Sequence, residues 1–187
     1  MRCINLIFFI FFLCMVCTFS TVKDIHPNDQ WPSGELGRKK IASIFHEAMR
    51  LNREFRKSVG VDSREVYFEK RKKTERYDED VLTPALEETV RRLSAGKDME
   101  LIGELYVLLI DMENSADEYL SFAIGEVFAK NPRLIEETFS SLTAAEQQYM
   151  CGHIAWGMAN YYWNKFQHPE QGERRDRLIR LGCTPVH

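Results

Sequence analysis

"KNPRLIEETFSSLTAAEQQYM", residues 130–150, contains two helix starts one after the other. Asn131 followed by Pro132 joins a capping residue to a proline at the first helical position, where a missing N–H costs nothing. "RLIEETFSS" is then a short apolar helix. Thr143 with Glu146 forms a capping box that opens a further, longer one. No run of alternating apolar and polar residues, the mark of a half-buried strand, competes with this reading.

The same punctuation extends outward. Thr83 and Pro84 predict a cap and a first-turn proline for a helix ending at Gly96. Asp98 is placed to cap "MELIGELYVLLIDM", and Ser115 with Glu118 makes another capping box, for "ADEYLSFAIGEVFAK". Downstream, the long helix runs from about Ala144 to Phe166, His168 and Pro169 break it, and "ERRDRLIRLG" forms the last helix. Upstream, Ile41, Ile44, Phe45, Ala48, Asn52, Phe55 and Val59 mark a helical stripe that Gly60 stops. Residues 63–80 are dense in charge and read as a solvated helix or crossover. Their "EKRKKTER" segment has a basic excess that neighbouring Asp78, Glu79 and Asp80 offset. The expectation is an all-α fold, a compact array of helices whose short connections make neighbours antiparallel.

Helix pairs of this kind resemble units of the HEAT and armadillo helical-repeat class over residues 84–166. The resemblance implies a scaffold that binds other macromolecules on a stacked helical surface, and it carries over no catalytic residue.

The beginning of the chain reads differently. "MRCINLIFFIFFLCMVCTFS" has one Arg, an apolar run from Ile4 to Val16 and small residues before a cut after Ser20, the layout of a secretory signal peptide. The run is shorter than the roughly 20 residues that span a bilayer, so no stable membrane insertion is expected after cleavage. Lipidation is disfavoured, because no small residues directly precede Cys14 or Cys17. Residues 21–34, polar with two prolines, read as a flexible leader, and 35–187 as one all-helical domain. The whole chain carries a net charge of −3. A secreted or periplasmic location is expected, with no nucleic-acid partner, since that would call for a net basic face.

"YMCGHIAWGM", residues 149–158, resembles the start of an active site but lies inside the long helix. At ~100° per residue, Cys151 and His153 point to opposite sides and cannot form a local dyad. Met150, Ile154, Met158, Tyr161 and Tyr162 define a buried stripe, and Gly152 and Gly157 suggest that another backbone approaches closely. Cys151 and Cys183 are the two cysteines left after signal removal. In an oxidising compartment a disulfide between them, closing a loop of about 33 residues, is favoured over two separate thiols.

Metal chemistry finds no support. "HEAMR", residues 46–50, opens like a zinc-protease motif but has Arg50 where a second His belongs. The acidic turn "IDMENSADEY" lacks the Gly and Glu of a calcium loop, with Ala116 and Phe122 at those positions. No cofactor is expected. The chain is read as a binding protein without catalysis, an immunity or inhibitor protein being one form. Its partner would meet Asp111, Glu113, Asp117, Tyr119, Trp156 and Trp163. Two rivals stand beside it. One is a cell-envelope hydrolase using Glu113 or Glu126, the latter raised in pKa by the apolar "AIGEVF" around it. The other is an envelope protein whose helices self-associate.

Overall fold

In the computed structural model, residues 31–112, 118–163 and 170–183 are described, for Trp163 the backbone alone. They are overwhelmingly helical and include no strand. The helices all belong to the unit Ser33–His187, which the chain's contacts separate from Met1–Pro32. They are α1 Gly34–Ser58, α2 Arg64–Tyr77, α3 Thr83–Ser94, α4 Leu101–Asp111, α5 Glu118–Lys130, α6 Pro132–Thr138, α7 Ala144–Trp163 and α8 Glu170–Arg180. None is long and apolar enough to cross a membrane.

In α1 the expected stripe is present at Ile41, Phe45, Ala48 and Asn52, all buried. Val59, expected at its end, instead stands exposed beyond the helix. Gly60 adopts φ +73°, a left-handed turn that a residue with a Cβ resists. Ser63 then caps α2 by accepting from the Val66 N–H at 3.4 Å. Thr74 is the one fully buried residue of α2, as expected of so charged a segment.

Three of the predicted helix starts lack the side-chain cap expected of them. α3 begins at Thr83 with Pro84 in its first turn, as read, but Thr83 does not cap it: a π turn over Asp78–Leu82 joins α2 to α3, with the Thr83 N–H donating to the Asp78 carbonyl. Pro84 has no N–H to give to the ladder and its ring crowds the carbonyl four residues back, so a widened turn accommodates it without breaking the rod. Asp98 does not cap α4; its carboxylate takes Arg92 Nη1 at 2.7 Å while its own φ is +49°. Asn131 and Pro132 open α6 as read, with Asn131 at the cap position, but the Asn131 side chain makes no cap bond and donates across to the Leu93 carbonyl at the end of α3, at 2.9 Å. The Thr143–Glu146 box forms as read: the Thr143 N–H gives to Glu146 Oε2 at 2.8 Å, and the Glu146 N–H gives to Thr143 Oγ1 at 3.4 Å. The backbone and hydroxyl bonds from Thr143 hold the Glu146 carboxyl below its usual range.

The core centres on α5 lying against α7. Ile124, Val127 and Phe128 of α5 and Met150 and Ile154 of α7 are fully buried, with Leu105, Leu108 and Leu109 of α4. The two backbones touch at Gly125 and Gly157. A Cβ placed on Gly157 would collide with the Ser121 carbonyl, and one on Gly125 with the backbone of Gly157 and Met158. The close approach expected at Gly157 is therefore present; at Gly152 it is not, since that glycine faces open space.

The Cys151–Cys183 disulfide is formed, with Cα atoms 5.2 Å apart and both residues buried. It fastens the chain after α8 to the middle of α7. Arg174 reinforces the attachment by donating to the Ala129 carbonyl at 2.9 Å, and Arg177 by pairing with Glu136 at 3.0 Å.

Candidate functional site

Because α5 commits its Ser121–Gly125 side to α7, its Tyr119, Phe122, Ala123, Glu126 and Lys130 face another way. Those positions recur at three- and four-residue spacing and therefore share one side of the helix. Thr83, Leu86, Glu87, Val90 and Arg91 do the same on α3, and Asn160 and Tyr161 close the end from α7. Between them lies a groove of about 530 Å³. That volume is within the range of pockets that accept a drug-sized ligand or a few side chains.

The floor is apolar. Leu86, Ala123 and Val90 are buried, and the Phe122 ring stacks on Trp156 with centroids 4.9 Å apart. Tyr119 meets Phe122 edge-on at 6.4 Å and keeps 59% of its surface exposed. Aromatic rings in these tilted and edge arrangements hold one another in place, which lowers the entropy lost when a ligand settles on them.

The rim is charged and paired. Lys130 bonds Glu126 and lies 6.0 Å from the centre of the Tyr161 ring. Arg91 reaches Glu88 through two bonds of 2.6 Å, and Arg92 shares the same carboxylate before passing to Asp98. Burial pushes the Glu88 carboxyl up, but the bonds from Arg91 and Arg92 outweigh it and hold the carboxyl below its usual range. This fixes the α3 wall of the groove to the start of α4.

The residues expected to meet a partner separate into groups. Tyr119 lines the groove, and Trp156 supports it from beneath Phe122. Asp111 sits elsewhere: Arg53 of α1 pairs with its carboxylate, Arg56 donates to its carbonyl, and its side chain is 17% exposed. It holds α4 to α1 and contributes nothing to the groove. Glu113 and Asp117 lie outside the described residues, as does the Trp163 side chain. Glu126 lines the groove but is 34% exposed and bonded to Lys130, so it lacks the apolar enclosure that a general acid there would need.

The histidine of "YMCGHIAWGM" has a structural partner. His153 Nδ1 lies 2.6 Å from Ser121 Oγ, and its ring packs on Tyr149 at 4.4 Å, on the side away from Cys151. Nothing in the sequence marks Leu86, Val90 or Lys130 individually; Phe122 stands out there only for breaking a calcium loop, and Tyr161, expected in the buried stripe of α7, is half-buried and lines the groove. The spacing of Tyr119, Phe122, Glu126 and Lys130 was the available signal, since it sets two aromatics and an ion pair along one face. No protein-family model, curated protein or solved structure matches the chain.

Proposed function

We propose that this is an exported, non-catalytic binding protein that seats an apolar segment of a protein partner in the groove between α3, α5 and α7. The observation that carries the reading is the groove's anatomy: an aromatic and aliphatic floor inside a rim of paired charges, the arrangement typical of the centre of a protein interface. Export is supported by the signal-like first residues and by the Cys151–Cys183 disulfide, a bond that persists in oxidising compartments. A stacked-helix scaffold of the HEAT or armadillo kind would present such a surface, and a small stapled inhibitor or immunity protein would use it to neutralise an effector. The hydrolase alternative places Glu126 as the acid; the Lys130 bond favours the binding reading.

The test is affinity enrichment from a cell-envelope extract with the oxidised protein, run beside Tyr119→Ala and Phe122→Ala. A partner retained by the parent and weakened by about 30-fold in either variant is expected, the loss typical of an interface anchor. Retention that ignores both substitutions would move the binding surface elsewhere. Hydrolysis of an envelope component that Glu126→Gln abolishes would favour the enzymatic reading.

A further inference from the structure

A second surface lies at the other end of the molecule's charge distribution. Between residues 53 and 73 there are eight Lys and Arg against four Asp and Glu, although the whole chain has a net charge of −3. The span runs from the last turns of α1 through the connecting turn and along most of α2; of its cations Arg53 and Arg56 serve Asp111, Lys70 pairs with Asp62 and Arg71 with Glu75, which leaves Lys57, Arg64, Lys72 and Lys73. Four of the large apolar side chains exposed in the described residues belong to the same short stretch: Val59, Val61, Val66 and Phe68. Val61, in the turn itself, is 80% exposed.

We propose that the end of the α1–α2 hairpin docks on an anionic lipid bilayer. Val59 and Val61 project from the turn, and Lys57 and Arg64 flank them in sequence. Arg64, Phe68 and Lys72 follow at four-residue intervals and share one face of α2, with the Arg64 guanidinium 5.6 Å from the centre of the Phe68 ring. Among the described residues, no carboxylate pairs with Lys57, Arg64 or Lys72. Of the nearby acids, Asp62 is bonded by Lys70 at 2.6 Å and Glu54 by Arg50; Glu65 and Glu69 lie on the flank of α2 beside Phe68.

The acidic run Asp78, Glu79 and Asp80 does not cancel this charge at the tip. It occupies the π turn after α2, roughly 21 Å along the helix axis from Arg64 and about 9 Å from Lys72 at 1.5 Å per residue. The first far exceeds the Debye length of about 8 Å at physiological salt, and the second about matches it.

The shape of the surface selects a bilayer over other acidic partners. The apolar side chains stand exposed on the turn and on α2 rather than packed together, so a folded protein would need a separate pocket for each. A headgroup layer yields to them, letting the valines reach the acyl boundary while the cations meet phosphates.

The experiment is co-sedimentation of the full oxidised chain with vesicles of phosphatidylcholine alone and of phosphatidylcholine mixed with phosphatidylserine. Binding to the mixed vesicles only, weakened by added salt, is expected. Reversing Lys57, Arg64 and Lys72 together to Glu should lower it by about 100-fold or more, from roughly fivefold for each cation. Val59→Ser with Val61→Ser should lower it by at least about tenfold. These side chains are exposed, and circular dichroism would verify that the variants remain folded. Tyr119→Ala should bind vesicles unchanged, which separates this surface from the groove. Failure of the parent to sediment, equal binding to both vesicle types, or indifference to the charge reversal would overturn the proposal. Binding to heparin or duplex DNA without binding to vesicles would assign the surface to a soluble polyanion instead.

Discussion

Two glycines five residues apart in α7 should respond to the same substitution with opposite signs. Gly152 faces open space, so an added Cβ meets nothing and Gly152→Ala gains helix propensity. The gain is roughly 0.5–1 kcal/mol, an increase in Tm of about 1–4 °C for a chain of this size. At Gly157 the same propensity gain opposes a collision with the Ser121 carbonyl of α5, a backbone atom that cannot rotate aside. Relief requires α5 and α7 to separate along the contact on which the core centres. Overpacking that forces backbone shifts costs about 1–3 kcal/mol or more. With the propensity gain subtracted, Gly157→Ala should lose about 1–2 kcal/mol at least, a fall in Tm of several degrees. Scanning calorimetry of the oxidised protein and both variants measures the difference directly. A Gly157→Ala protein as stable as its Gly152→Ala counterpart would refute the backbone contact and the placement of α5 on which the groove depends.

Other consequences follow from single residues. Burial raises the Tyr106 hydroxyl to about 12, although its bond with Thr138 opposes the shift. Since the raised value belongs to the folded state, this stabilisation is complete below about pH 10 and is lost as pH rises through about 12. Tyr106→Phe should remove that part of the alkaline loss in a pH series of urea melts. Reducing the disulfide, or Cys151→Ser with Cys183→Ser, should cost about 3–4 kcal/mol for a loop closed across 32 residues of separation, read from the urea midpoint. Arg92→Ala strips one partner from buried Glu88 and from Asp98 and should cost about 3–5 kcal/mol by the same assay, well above a surface Arg133→Ala control.

What the sequence revealed and what it withheld have separable physical causes. Thr143 and Glu146 lie within one turn, so their reciprocal cap depends on local geometry and was legible. Asp98 and Asn131 are also good caps locally, but the folded chain uses them on Arg92 and on the Leu93 carbonyl, partners that tertiary packing supplies. Pro84 read as a start and stands in the first turn of α3, but the residues before it form a π turn that continues from α2, and nothing in "DEDVLTP" announces that turn. Gly152 and Gly157 look alike in sequence, and α5 alone distinguishes them. Elimination sufficed for the disulfide, whose two cysteines lie in the helical part of the chain. The groove was half legible: Tyr119 and Trp156 are large aromatics on helices, whereas Leu86 and Val90 gain their role from which helix they face.

The central claim is that a partner occupies the groove between α3, α5 and α7. A photo-crosslinking residue placed at Tyr119 in living cells tests it most directly, with Val107, exposed on α4 outside the groove, as the control position. The account predicts one discrete adduct from position 119 that is absent from position 107 and disappears with Phe122→Ala. Adducts of equal yield from both positions, or a position 119 adduct indifferent to Phe122, would contradict it.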